Sequence, residues 1–293
     1  MHVPVLAEEV LRYLNVRPDG IYVDATLGGG GHAARILETL RHGSGKLLAI
    51  DRDPAAVRDA EKRLGEYAGQ WVAMEGNFAE IDSLHRAAWV GPADGCVADL
   101  GISFEQLADA RRGFSFDRPG PLDMRMDPGL RRTAADLVNR LHEKALANLI
   151  FTLGEERHSR RIARAIAKAR PIRTTTELAQ VVTRAIPSRA GLHQLHPATR
   201  TFMALRLAVN NELENLELFL SKILSILAPG GRLVILSFHS LEDRRVKQAF
   251  HAWRQEGQAK WLTLKVCRPS ETEIRSNPRA RSAKLRAIEK TGT

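Results

Sequence analysis

A run of four consecutive glycines, Gly28 to Gly31, constrains this chain more than any other feature. It follows a strand-like stretch, Ile21 to Asp24, and precedes a helical pattern that begins near His32. Glycine has no Cβ, so the backbone can turn sharply and approach a ligand closely, while the N–H groups at the helix start point outward. This junction predicts a nucleotide site on the first strand of an α/β sheet.

A second apolar run, Lys46 to Ile50, ends in Asp51, about twenty residues after the glycines. A carboxylate at the tip of this strand can accept both hydroxyls of a ribose. The alternative is that the glycines form only a loose loop and that Asp51 caps the helix beginning at Pro54. The spacing, with a helix signal after each strand, favours an adenosine-like cofactor.

Strand and helix signals keep alternating after Asp51, which is typical of a parallel, doubly wound sheet. Three further strands are predicted at Trp71 to Glu75, Gly95 to Asp99 and Arg232 to Ser237. Two closing strands are expected at Trp261 to Cys267 and Ala283 to Ile288, the last of them antiparallel. We therefore predict an α/β fold with the class I (Rossmann-like) sheet of S-adenosylmethionine-dependent methyltransferases.

The predicted fourth and fifth strands are 132 residues apart, from Leu100 to Gly231, where a crossover needs only a few tens. Helical periodicity marks this stretch at Ala134 to Phe151, Ser159 to Ala169, Thr176 to Ile186 and Ala198 to Asn211. We predict a methyltransferase domain in two parts, residues 1–108 and 213–293, around an inserted all-helical substrate-recognition domain, residues 109–212.

The net charge of +10 favours a polyanionic partner, because basic side chains gain by displacing counterions from nucleic acid. No apolar stretch is long enough to span a membrane, and no signal peptide is evident, so no membrane association is expected. The two cysteines imply no disulfide framework, and we expect a cytoplasmic protein. The sequence leaves open whether the chain forms a homodimer.

The cysteines also constrain the chemistry. Methylation of carbon 5 of a pyrimidine needs an exposed, electropositive thiolate, whereas Cys96 lies inside a predicted strand and Cys267 lies near the end of the chain. Direct transfer to nitrogen or oxygen is therefore favoured. No spacing typical of metal ligands occurs, and we interpret His193 and His196 as surface or substrate contacts.

The glycine pattern alone does not identify the cofactor, because Gly28, Gly30 and Ala33 also satisfy the fingerprint of a nicotinamide-dependent oxidoreductase. S-adenosylmethionine is favoured by the predicted closing strands and by Asp24, which is positioned to reach the amino group of a methionine moiety. Phe78 follows the third strand, where it either contacts an adenine ring or only packs under its loop.

The end of the fourth strand carries Asp99, which should face the reacting centre because ligands lie beyond the carboxyl ends of parallel strands. The alternative is a simple cap of the next turn. After the fifth strand, Ser237, Phe238 and His239 are expected to contact a flipped-out base, with His239 either acting on the substrate or only ordering its loop.

Basic residues cluster in two segments. They are Arg157, Arg160, Arg161, Arg164, Lys168, Arg170 and Arg173 in the insertion, and Arg275, Arg279, Arg281, Lys284, Arg286 and Lys290 near the end. Such clusters are often only solvated faces; here we favour contacts with RNA phosphates, with base stacking on Phe114, Phe116 or Phe238. A non-catalytic RNA-binding assembly factor remains an alternative.

The chain resembles the bacterial 16S ribosomal RNA cytosine-N4 methyltransferases over essentially its whole length. The segments that carry the resemblance are Asp24 to His32, Ala49 to Pro54, Ala98 to Gly101, Arg112 to Phe116, Gly120 to Pro128, Gly154 to Arg157, His196 to Leu213, Gly230 to Arg244 and Asn277 to Lys290.

The resemblance implies S-adenosylmethionine as cofactor and a cytosine in the decoding centre, near the P site of the small ribosomal subunit, as target. The cofactor-binding residues it implies are Gly30, Gly31, His32, Asp51, Phe78, Asp99 and Gln106. The sequence departs from the family pattern around Gln106, at Phe104 and Glu105, and also at Pro119 and Leu153.

Overall fold

The computed structural model describes residues 4–88, 91–186 and 196–292. They form two compact units, one of residues 1–101 and 213–293 and the other of residues 102–212. The predicted insertion began at residue 109, seven residues later than the second unit does. No helix within the described ranges is both long and apolar enough to cross a bilayer.

The first unit opens with alternating helices and strands. Most of the inner strand residues are buried because helices cover both faces of the sheet, whereas the edge strand Trp71–Glu75 is partly exposed. The helices are α1 (Ala7–Leu14), α2 (Gly31–Leu40), α3 (Pro54–Arg63) and α4 (Ile81–Ala88). The strands are β1 (Ile21–Asp24), β2 (Lys46–Asp51), β3 (Trp71–Glu75) and β4 (Ala93–Asp99). The sequence predicts a helix near Ile81 to Trp89, and Trp89 lies outside the described residues.

The second unit is helical around its own apolar core. Its helices are α5 (Phe104–Ala108), α6 (Ala134–Arg140), α7 (Glu143–Gly154), α8 (Ser159–Ala169), α9 (Thr175–Ala185) and α10 (Thr199–Asn210). The single helix predicted from Ala134 to Phe151 is wrong, because the chain is extended at Leu141 and His142. The Arg170 guanidinium donates to the carbonyls of Val138 and Leu141 and so ends α6.

The chain then returns to the first unit through α11 (Glu212–Ile226), β5 (Leu227–Ser237), α12 (Ser240–Gln255), β6 (Ala259–Trp261), α13 (Glu271–Ser276) and β7 (Lys284–Lys290). The sheet order is β3-β2-β1-β4-β5-β7-β6, with β7 antiparallel to both neighbours. This arrangement confirms the predicted class I sheet. The carboxyl ends of β1 to β5 meet at one edge.

The strand predicted from Trp261 to Cys267 is wrong beyond its first residue. The Ala287 N–H donates to the Thr263 hydroxyl at 3.0 Å instead of to a backbone carbonyl, so the β6 ladder ends there. Leu264 is then left exposed, and the chain touches β7 again only in an isolated bridge between Cys267 and Leu285.

Candidate active site

The glycine loop joins β1 to α2 at the carboxyl edge of the sheet. Gly28 and Gly30 have φ angles of 48° and 73°, a left-handed conformation that side chains disfavour. α2 begins at Gly31 without a side-chain cap from any described residue, so its first N–H groups remain suited to an anionic or polar ligand. A Cβ on Gly31 would lie 3.0 Å from Pro4, so the loop packs tightly against the N-terminal segment.

Asp51, at the end of β2, holds this loop in place. Its Oδ2 accepts a hydrogen bond from the Gly28 N–H at 2.7 Å, and its Oδ1 accepts one from the Asp53 N–H at 2.8 Å. Burial raises the pKa of Asp51, and these two backbone N–H groups partly oppose that shift. A carboxylate has about four lone-pair positions, so the group can accept further hydrogen bonds from ribose hydroxyls.

Asp24 is the most deeply buried acid of the site, with only 1% of its surface exposed. Its Oδ1 accepts a hydrogen bond from the Thr26 N–H at 3.1 Å, whereas its Oδ2 is buried without a hydrogen-bond partner among the described residues. Burial raises the pKa of Asp24 to about 6. An unsatisfied buried carboxylate oxygen is costly, so this atom fits a cationic ligand group such as an ammonium.

Asp99 and His32 lie beside Asp24. His32 Nε2 is 3.5 Å from Asp99 Oδ2, and the Asp99 N–H donates to the Thr26 hydroxyl at 2.6 Å. Burial lowers the pKa of His32, but the close approach of Asp99 and the charge of Asp24 outweigh it, so the net pKa is raised. Asp99 Oδ1 is buried without a hydrogen-bond partner in the described chain, which leaves a second oxygen for a ligand.

Phe78 lies just past the carboxyl end of β3, in a short 3₁₀ helix that Asn77 caps by accepting from the Ala79 N–H. Its half-buried ring packs edge-to-face on Phe219, with the ring centroids 5.2 Å apart. The ring is therefore fixed in position at the edge where an adenine is expected.

His239 follows β5 and is the N-cap residue of α12. Its Nδ1 accepts from the Glu242 N–H at 3.4 Å, and its Nε2 lies 3.1 Å from Glu242 Oε1. Glu242 Oε2 also accepts from the Phe238 N–H at 3.0 Å. The structure thus gives His239 a part in ordering its loop; its predicted contact with the substrate stays a prediction.

Gln106 belongs to the second unit, where its side chain accepts from the Ser103 N–H in a capping box at the start of α5. In the same unit Phe114 is buried, and Phe116 stacks on His196 with the ring centroids 4.5 Å apart. His193 lies outside the described residues. Among the described residues, no group of three His, Cys, Asp or Glu side chains could hold a metal ion.

Two residues of this edge were missed by the sequence analysis. Thr26 bridges Asp24 and Asp99, since its N–H donates to one and its hydroxyl accepts from the backbone of the other. Its position two residues after an aspartate is a turn signal that could have indicated it. Glu273 accepts from the Leu6 N–H at 2.7 Å and anchors the start of α1, a contact across 267 residues that no local pattern marks.

The sheet edge therefore brings together Asp24, Gly30, Gly31, His32, Asp51, Phe78 and Asp99. The Oδ2 of Asp24, which has no partner in the described part of the chain, the glycine loop and the acid at the end of β2 fit a nucleoside that carries an amino acid moiety. The fold and this edge define an S-adenosylmethionine-dependent methyltransferase of class I.

Comparison with known proteins gives the family. The chain belongs to the MraW methylase family, whose model matches residues 1–291. This membership excludes the nicotinamide-dependent oxidoreductase and the non-catalytic assembly factor.

The chain is 50% identical over 309 residues to a protein of Syntrophobacter fumaroxidans named ribosomal RNA small subunit methyltransferase H, covering 99% of this chain and 97% of the relative. A protein of the same name from Geobacter sulfurreducens is 48% identical, covering 99% of this chain and 98% of the relative. A crystal structure from Clostridium thermocellum, assigned as an rRNA methylase, superposes with a TM-score of 0.50 at 12% identity, covering 99% and 100% of the two chains. That last likeness concerns the fold alone.

Proposed function

We propose that this protein transfers the methyl group of S-adenosylmethionine to the N4 amine of one cytosine in the decoding centre of 16S ribosomal RNA, near the P site. The observation that carries the proposal is the identity of 50% and 48% to proteins named as small-subunit rRNA methyltransferases, over 99% of this chain. We place the activity in the cytoplasm, on the small ribosomal subunit.

The two cysteines support transfer to nitrogen instead of to carbon. Burial raises the pKa of the Cys96 thiol well above its ordinary value and also raises that of Cys267, so both disfavour the thiolate that attack on a pyrimidine ring needs. An exocyclic amine, by contrast, needs no covalent help from the protein.

Residues at the sheet edge have defined roles in this proposal. Asp24 binds the amino group of the methionine moiety, Asp51 binds the ribose hydroxyls, and Phe78 contacts the adenine. S-adenosylmethionine supplies a methyl group already activated by its sulfonium. The protein then has mainly to hold the amine in line with that methyl at about 3 to 3.5 Å and to exclude water.

We propose Asp99 as the catalytic residue that accepts a hydrogen bond from the cytosine amine. The lone pair of a cytosine amine is delocalised into the ring, and an acceptor for one N–H localises it and later takes up a proton. Asp99 Oδ1, buried and without a partner among the described residues, supports this role. His32, 3.5 Å from the other oxygen, orients the carboxylate as a positioning residue. We keep His239 as a contact to the base.

RNA phosphates are expected to bind only some of the basic residues. Lys284 and Arg286 both pair with Asp243, and Lys290 donates to the carbonyls of Leu224 and Leu227, so these three cations serve the fold. Arg275 and Arg281 are exposed instead. We propose that they and the helical unit, residues 102–212, bind the RNA.

The test is mass mapping of methylated nucleotides in small-subunit RNA from cells with and without this protein. We expect one N4-methylated cytidine to disappear on deletion and to return with the wild-type gene, but not with the Asp99→Ala variant. An unchanged methylation map would refute the proposed substrate.

A further inference from the structure

Phe151 is the most exposed aromatic side chain in the described part of the chain. It is 60% exposed, while Phe104 is the only other described Phe, Tyr or Trp exposed by more than a third, at 45%. A single exposed apolar residue is common on protein surfaces. Its surroundings therefore decide whether it has a role.

The backbone around Phe151 is held firmly. It lies in the last turn of α7, next to Ile150 and three residues before Gly154, both buried in the core of the helical unit. A Cβ on Gly154 would lie 2.7 Å from the carbonyl oxygen of Arg200, so α10 packs directly against the end of α7. Phe151 is thus carried on a rigid element with its side chain directed away from that core.

The neighbouring surface is strongly basic. Residues 143–170, which form α7, α8 and their connection, contain seven Lys and Arg residues against three Glu residues. Arg157 lies in the connection and Arg160 and Arg161 in the first turn of α8, only six to ten residues beyond Phe151. Arg160 and Arg161 form no ion pair with any acidic side chain that the structure describes, so their charges are available.

Apart from this ring and the small side chain of Ala145, the exposed residues of α7 are polar. Lys144, Asn148 and Phe151 are all exposed and follow one another at helical spacing, so they line the same side of the helix. An amide and a cation beside an aromatic ring provide hydrogen bonds, charge and stacking on one strip. This combination is how proteins bind unpaired nucleotides.

We propose that Phe151 is a stacking platform for one unpaired base of the RNA substrate, with Arg157, Arg160 and Arg161 binding the adjoining phosphates. The inference rests on the proposed function, because it assigns part of the RNA to the helical unit. A single-stranded polyanion fits better than a protein partner, since the exposed ring shares its helix face with Lys144 and Asn148 and is followed closely in the chain by three arginines.

The test compares three substitutions of the full-length protein for affinity to a small-subunit rRNA transcript, measured by fluorescence anisotropy. Phe151→Ala should weaken binding by about 5-fold to 100-fold, the loss expected for one base–aromatic stack. Phe151→Trp should stay within about 2-fold of the wild type because every flat ring stacks, whereas Phe151→Leu should resemble the alanine variant. S-adenosylmethionine affinity, measured by calorimetry, should be unchanged throughout.

Leu218→Ala is the matched control, since Leu218 is an exposed apolar residue of α11 in the other unit. RNA affinity of Phe151→Ala equal to that of the wild type would overturn the proposal. So would a change in oligomeric mass by light scattering without a change in RNA affinity, which would assign the ring to contact with a second copy. Failure of the wild type to methylate the transcript it binds would count against the proposed function, not against stacking.

Discussion

The imidazole Nε2 of His32, in the first turn of α2, lies 3.5 Å from the Oδ2 of Asp99, the last residue of β4. Burial alone would keep His32 neutral, yet the two carboxylates beside it raise its pKa. The pair therefore combines a basic imidazole with an acid whose other oxygen is unused within the described chain. This relationship makes Asp99 the residue whose replacement should affect methyl transfer most.

Asp99→Asn should lower kcat by a factor of about 10² to 10⁴, because the amide still fits the space but loses the charge that accepts the proton of the amine. Asp99→Ala should abolish detectable transfer while S-adenosylmethionine affinity is reduced but measurable. Asp94→Asn is the matched control: Asp94 is on the same strand but near its other end, bonded to Arg17 and to the Ile21 N–H. Unchanged turnover in Asp99→Asn would remove Asp99 from the mechanism.

Asp24 should make stability fall as the pH rises. Its pKa of about 6 in the folded protein exceeds the ordinary value of 3.8, so the folded state holds the proton more tightly than the unfolded chain does. The resulting stability is complete below about pH 4 and is lost as the pH rises through about 6, by about 3 kcal/mol in total. The raised pKa of His32 acts in the same direction, its contribution being lost as the pH rises through its folded pKa.

Denaturant unfolding of the wild type and of Asp24→Asn at pH 5 and pH 8 measures this effect. From pH 5 to pH 8 the free energy of unfolding of the wild type should fall relative to that of Asp24→Asn, because the amide of the variant does not titrate. The comparison cancels the other carboxylates, which stabilise the protein as the pH rises. Parallel curves for the two proteins would contradict the assignment.

Asp51→Ala should weaken S-adenosylmethionine binding by at least about 10-fold, because it removes the ribose acceptor and leaves the N–H groups of Gly28 and Asp53 without their acceptor. Asp53→Ala is the control, since Asp53 caps α3 by accepting from the Ala55 N–H. That variant should lose about 1 kcal/mol of stability and keep its cofactor affinity. Calorimetry and thermal unfolding separate the two effects, and equal affinities for the two variants would refute the role of Asp51.

Asp243→Ala should destabilise the protein by about 1.5 to 3 kcal/mol, the range for hydrogen bonds to charged groups. Lys284 and Arg286 both pair with this carboxylate and hold its pKa low against the effect of burial. Glu271→Ala should have almost no effect, since Glu271 is 91% exposed and its ion pair, at 3.7 Å, is with the similarly exposed Arg275. Urea unfolding distinguishes these cases, and equal stabilities of the two variants would show that the pairing with Asp243 does not stabilise the fold.

The parts of the fold that sequence could predict are those set by local pattern. β1 and β3 begin and end at the predicted residues, because turn signals and apolar runs mark strands directly. The glycine loop and the position of Asp51 could be predicted in the same way. Positive φ angles favour glycine, and an acid at the end of an apolar run is visible in the sequence.

Contacts between distant residues escaped that analysis. Arg170 ends α6 through the carbonyls of Val138 and Leu141, and Thr263 ends β6 through Ala287, but no local pattern marks either contact. Exposure is equally non-local: Phe114 was expected to stack on bases but is buried, whereas Phe151 was predicted only as the end of a helix. A side chain's accessibility depends on what packs against it, which a sequence pattern does not record.

The most direct test of the account is a reaction of the purified protein with S-adenosylmethionine carrying a deuterated methyl group and small-subunit RNA from cells lacking this protein. Nuclease digestion and mass spectrometry then identify the labelled nucleoside. The account predicts the label on N4 of a single cytidine with the wild type and none with Asp99→Ala. Label on carbon 5, on a ribose oxygen or on no nucleoside would contradict it.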